Sequence, residues 1–167
     1  MSDSLRTSTV IGATISTGLI ADLFYAYACS VMNALGHTDD RTFVDVMNKI
    51  NVDIINPWFM VIFLGSGLLS IVALVSNLGS DHRRVLVWLV AATVLNVAAL
   101  IVTMALNVPL NDQLATVGGQ PSIAELAALR EHFEGPWVRW NIVRALGHTG
   151  AFGCLTWALV LIGRASG

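Results

Sequence analysis

From Thr7 to Leu35 the chain carries one charged residue, Asp22. A run this long and this apolar crosses a bilayer as a helix. No water reaches the backbone there, so the segment is committed to satisfying its own hydrogen bonds. Asp22 lies near the middle of the run, where an ionisable group is expensive and marks a functional site by default. Tyr25, Cys29 and Asn33 follow it on one helical stripe, which Gly18 extends in the other direction. The run is longer than a signal peptide's apolar region and only Arg6 precedes it. Cleavage after Ala26-Tyr27-Ala28 is therefore not expected.

The remainder of the chain repeats the pattern. Only 12% of its residues are charged and its mean hydropathy is +0.70, against about 25% charged residues in a soluble domain. A second apolar run, Trp58 to Leu78, opens at Pro57, where proline suits a helix start. The third runs from Val85 to Leu106 after a short turn, Gly79 to Arg84. An irregular stretch is expected from Asn107 to Pro121, because of Pro109, Gly118, Gly119 and Pro121. Ser122 should cap a short helix through Phe133, and a fourth span runs from Pro136 to Gly163. The whole chain, 1–167, thus reads as one all-α domain, an integral membrane four-helix bundle. Cys29 and Cys154 both lie in apolar runs and form no disulfide framework. The net charge of −2 gives no reason to expect nucleic acid as a partner.

An even span count places both termini on one side. That side holds Arg6, Arg83, Arg84 and Arg164, and the other holds Arg41, Lys49, Arg130 and Arg139. The basic residues tie in number. The tight Arg83-Arg84 turn then decides for cytoplasmic termini in the plasma membrane. On the far side, Asp39 to Ile55 reads as an amphipathic helix between the first and second spans. Its apolar face carries Phe43, Met47, Ile50 and Ile54, while Asp45, Lys49 and Asp53 form a solvated face. Asn51 falls near the apolar side, where an amide needs a partner.

Each span also carries a polar stripe. Ser66, Ser70 and Asn77 align in the second, and Asn96, Thr103 and Asn107 in the third. In the fourth, Trp137, Asn141, Arg144 and His148 share a face with Trp140 beside them. Lipid cannot satisfy such groups, so the stripes should converge inside the bundle. Serine and asparagine there read as helix-to-helix glue. Asp22, Arg144 and His148 are ionisable and ask for more. A rise of about 1.5 Å per residue puts Asp22 and His148 at similar depth, with Arg144 in reach of the carboxylate. An Asp22–Arg144 pair is the expectation, since either charge alone in low dielectric is costly.

Three blocks of sequence carry a resemblance. The first is Phe43-Val44-Asp45-Val46-Met47 with Ile50-Asn51 and Asn56-Pro57-Trp58-Phe59. The second is Asn107-Val108-Pro109-Leu110-Asn111-Asp112, and the third is Trp137-Val138-Arg139-Trp140-Asn141-Ile142-Val143-Arg144. In this order the chain resembles the anthrone oxygenase-like family of four-span membrane proteins. His37, His132 and His148 lie outside the blocks. The resemblance implies oxidation of a lipophilic aromatic, anthrone- or phenol-like, in a cavity inside the bundle. Such chemistry needs a base at an acidic C–H and donors at the developing phenolate. Asp22 and His148 are the candidate bases. Arg144, Asn141, Asn107 and Asn111 are candidate donors. Tyr25, Trp137 and Trp140 are expected as walls, with Asn51 at the mouth beside Asn107, Asn111 and Asn141.

No metal motif is present. Glu131, His132 and Glu134, with Asp112 and His37 on the same side, read as a solvated surface cluster. The cofactor stays undetermined: reaction with O₂ without one, copper, iron, and haem on His148 are all compatible with the residues. Two function classes follow. One is a membrane oxygenase. The other is a non-catalytic membrane protein that binds a lipophilic small molecule, haem or metal, or stabilises a partner.

Overall fold

The structure, a computed structural model, describes residues 3–79, 83–116 and 121–166. The expected turn at 79–84 and the stretch holding Gly118 and Gly119 fall partly outside these. Among the described residues there is no strand, and four helices are long and apolar enough to cross a membrane. They are Ser4–Gly36, Pro57–Asn77, Arg83–Ala115 and Ile123–Ala165. Leu19, Val61, Leu68, Val75, Val94 and Leu146 stand exposed along their outer faces, as lipid contact requires. The chain is a four-helix membrane bundle.

The amphipathic helix forms as expected, over Asp40–Asp53. Asp39 caps it by accepting from the Thr42 amide at 3.0 Å and the Thr42 hydroxyl at 2.6 Å. Those two bonds, the hydroxyl's foremost, hold the Asp39 carboxyl below its ordinary range. Phe43, Val44 and Met47 are its buried face. Asn56 caps the second span through the Phe59 amide, with Pro57 at its start.

Two helices run further than the sequence suggests. The stretch expected to be irregular from Asn107 continues the third span to Ala115. A π-turn, Thr103–Asn107, precedes Pro109. The wider turn relieves the clash between a proline ring and the carbonyl four residues back. The short helix and the fourth span are likewise one helix, Ile123–Ser166, with Pro136 inside it. Proline there frees the carbonyl of His132, an exposed residue. Ser122 and Glu125 cap its start reciprocally, the Ser122 amide donating to Glu125 Oε2 at 2.8 Å and the Glu125 amide to Ser122 Oγ at 3.3 Å. Its first turns lean on the far side of the bundle through Arg130. That guanidinium bonds the Gly36 and Thr38 carbonyls at 2.8 and 2.7 Å and the carboxylates of Glu134 and Asp40 at 2.8 and 3.1 Å.

The core is layered. At the end holding the termini, Val10, Ala13, Ala73, Leu89, Ala92, Ala151 and Leu155 pack together. Small residues let the third and fourth spans close: a Cβ at Gly147 would stand 3.3 Å from the Ala99 Cβ. Ile20, Phe24, Phe63 and Ala145 form the middle. Met32, Leu35, Phe43, Met47, Leu114, Phe133 and Trp137 form the layer under the amphipathic helix.

The polar stripes do converge. Asn96 Nδ2 faces Thr17 Oγ1 at 2.9 Å, Ser70 Oγ at 2.8 Å and the Ser66 carbonyl at 3.1 Å. Asn96 Oδ1 lies 2.9 Å from His148 Nδ1. One amide thus joins all four spans. A carbonyl only accepts, so the Asn96 nitrogen must face Ser66 and its oxygen must face His148. His148 Nδ1 is then the donor.

Replacing Asn96 with Leu should cost about 2–3 kcal/mol of stability, because buried groups on all the other spans lose their partner. Unfolding in detergent measures it. Thr156→Val, at an exposed position bonded only within its own helix, should change stability by less than about 0.5 kcal/mol. Equal losses in the two variants would show that the node does not hold the bundle.

Candidate functional site

A cavity of about 870 Å³ opens between the middle layer and the layer beneath the amphipathic helix. Most of its lining is apolar. Phe24 and Tyr27 come from the first span, and Phe59, Met60 and Phe63 from the second. Thr103, Met104, Asn111 and Asp112 come from the third, Trp137 and Arg144 from the fourth. Asn48 and Asn51 close it from the amphipathic helix. Its size and lining suit a drug-sized lipophilic molecule.

Arg144 is the cation among the described residues of this lining. It is 6% exposed. Its Nε and Nη2 donate to Asn141 Oδ1 at 3.1 and 2.9 Å, while Asn141 Nδ2 donates to the Phe24 carbonyl at 3.0 Å. The guanidinium carbon sits 3.9 Å from the Phe24 ring centre and 5.1 Å from that of Trp137. Ring quadrupoles offset part of the desolvation. Among the described residues no carboxylate pairs with Arg144, and its Nη1 donates to none of them. A buried cation without an anion is costly, so the cavity favours negative charge.

The Trp137 wall is fixed from behind. Its indole N–H donates to Asn111 Oδ1 at 2.8 Å, and its carbonyl accepts from Asn107 Nδ2 at 3.2 Å. The Tyr27 ring lies 5.9 Å away. Of the residues expected at the site, Asn51, Asn111, Trp137 and Arg144 therefore line the cavity. Asn107 and Asn141 hold its walls. His148 is fully buried, with its ring 5.6 Å from that of Phe24 and its Nε2 unpartnered.

Three expected residues are elsewhere. Asp22, Tyr25 and Trp140 are exposed and do not line the cavity. Asp22 makes no hydrogen bond or ion pair among the described residues, so the expected pair with Arg144 is not formed. The stripe Asp22-Tyr25-Cys29-Asn33 does share one face, and that face is the outer one. Val10, Ala13, Thr17, Ile20 and Phe24 take the inward positions because they pack closely against the other spans. Asn33 satisfies its amide on the Cys29 carbonyl instead. Trp140 misses the cavity because Trp137, Asn141 and Arg144 occupy the inward stripe.

Tyr27, Phe24 and Asn48 line the cavity without having been expected there, and Asp112 does so as its one carboxylate among the described residues. Asn48 was findable, one turn before Asn51. Tyr27 was not, because it opens a π-turn, Tyr27–Val31, that no residue type announces. The outer cluster around Glu131 holds no group of three or more metal-ligating side chains among the described residues.

Residues 58–154 match the model of a family described as anthrone oxygenase. The match covers Asn107, Asn111, Asp112, Trp137, Asn141 and Arg144, and leaves out the first span and the amphipathic helix. No curated protein and no solved structure matches the chain.

Arg144→Met should leave the ligand-free protein at least as stable as the unaltered one, since a buried unpaired charge gives way to an apolar side chain of similar reach. Asp22→Asn should not lower stability, and the two effects should add. Detergent unfolding of the single and double variants tests both. A coupling above about 1 kcal/mol would mean that the two residues meet after all.

Proposed function

The chain belongs to the anthrone oxygenase family, and from that premise we propose that it oxidises a lipophilic anthrone-like aromatic ketone with O₂ inside the bundle. The observation that carries this reading is Arg144, a cation sealed into an apolar cavity with donor capacity to spare. An anthrone has an acidic CH₂ between two rings and a carbonyl across from it. Removing a proton from the CH₂ sends the electron pair to the carbonyl oxygen, giving a phenolate-like anion. The guanidinium stabilises that anion where its charge develops, already oriented by Asn141, so little reorganisation is needed. Asp112, the carboxylate of the lining, takes the proton. Tyr27 and Phe59, the part-exposed aromatic rings of the lining, hold the flat rings.

The electron-rich carbon then reacts with O₂ and forms a C–O bond. The peroxide takes back the proton and loses water to leave a carbonyl. In sum R₂CH₂ + O₂ gives R₂C=O + H₂O.

The same reading puts both termini on the cytoplasmic side of the plasma membrane and the cavity in the outer half. Its support is the tight turn bearing Arg83 and Arg84. A cysteine at Thr116 should label from outside intact cells and one at Arg84 should not. The reverse pattern inverts the topology.

Turnover is tested by O₂ uptake and by the anthraquinone absorbance. Asp112→Asn should lower kcat by about 10²–10⁴-fold, and Arg144→Met by about 10²–10³-fold. Both should remain folded, and Asp22→Asn should keep full activity. Undiminished turnover in folded Asp112→Asn and Arg144→Met proteins would exclude the mechanism.

A further inference from the structure

Asp22 is the polar group that the fold leaves outside. It sits at the centre of the outer face of the first span, among the exposed Ile15, Tyr25 and Cys29. Ala13, Ile20 and Phe24 are buried on the opposite side of that helix. At about 1.5 Å per residue, Asp22 lies roughly 20 Å from Gly36 and from Thr7 alike. Lysine and arginine near a span end reach water along their long stems, but an aspartate at this depth is too short to do so. It makes no hydrogen bond or ion pair among the described residues. Lipid offers it none.

We infer that this face of the first span is an interface with a second copy of the chain, and that the two Asp22 carboxyls meet at its centre. Copies inserted in the same orientation form a closed pair about a two-fold axis along the membrane normal. Residues on that axis meet their own counterparts. A carboxyl suits this position, because two that meet share a proton and one donates to the other. A head-to-tail contact would need a cation instead. Among the described residues none stands on an outer face at this depth, since Arg144 is buried and the other basic residues lie near the membrane faces. Ile15, Asp22 and Cys29 also recur every seven residues. That is the repeat on which two parallel helices pack side by side, and one polar position in such a seam sets its register.

The test uses the full chain, labelled with donor or acceptor dye and reconstituted together in liposomes. Energy transfer is followed as lipid dilutes the protein. The unaltered chain should transfer above the level of chance proximity and lose the signal only at high dilution. Asp22→Leu breaks no bond within the chain, so it should fold normally. It should weaken association about tenfold, the scale of a polar pair between membrane helices. Asp22→Asn should stay within about threefold of the unaltered chain, because an amide also donates and accepts and can pair with its own copy. Leu68→Ala, on the outer face of the second span, should leave association unchanged. Transfer at chance level in the unaltered chain overturns the interface, whatever other membrane protein might cover this face. So does undiminished association of Asp22→Leu, or an equal loss in Leu68→Ala.

Discussion

Everything above the middle of the bundle depends on one amide, that of Asn96. It meets Thr17 on the first span, Ser66 and Ser70 on the second and His148 on the fourth. Apolar packing against lipid barely distinguishes one helix rotation from another, because lipid tails are as apolar as leucine. A buried amide does distinguish them, since each wrong rotation leaves several polar groups unmet. The node therefore fixes rotation and depth for all four spans. It places Arg144, one turn from His148, on the inward face at the level of Phe24.

With rotation fixed, the chain faces the question of what to do with a guanidinium in its interior. A carboxylate would be the simplest answer, but Asp22 lies on the outer face. The structure spends Asn141 and two aromatic rings on it instead. A neutral amide orients the cation without cancelling its charge. The potential stays available for a ligand, at the expense of stability in the empty protein. Electrostatic catalysis has this same requirement, because a charge already neutralised by the protein cannot stabilise one that develops later.

The sequence told most about what repeats along the chain. Apolar run length revealed the spans, and helical spacing revealed the inward stripes of the second, third and fourth, including Trp137, Asn141, Arg144 and His148. The spacing of Phe43, Met47, Ile50 and Ile54 revealed the amphipathic helix. The failures have physical causes. Asp22 was read as inward because a charge in lipid is expensive, but close packing by Ala13, Thr17 and Phe24 decided the rotation of the first span. Pro109 and Pro136 were read as helix ends, yet each lost hydrogen bond was tolerated, one beside a π-turn and one at His132, an exposed residue. Asp112 was visible as a motif residue. Its place at the cavity required knowing that the third span does not stop at Leu106.

Both π-turns lie at the level of the cavity, which connects them to its origin. Tyr27–Val31 interrupts the first span and Thr103–Asn107 the third, and each contributes to the lining. A π-turn holds an extra residue, so it widens the helix and turns everything beyond it by about one residue's rotation. Below Thr103 the third span keeps Leu89, Ala92, Asn96 and Ala99 inward in tight contact with its neighbours. Beyond it, Asn107 grips the Trp137 backbone, with Asn111 one turn further on at the indole N–H. A regular helix could continue the lower packing to the end and would leave no space. The two inserted residues convert a close-packed bundle into one that is closed below and hollow above, and they do so without breaking a span.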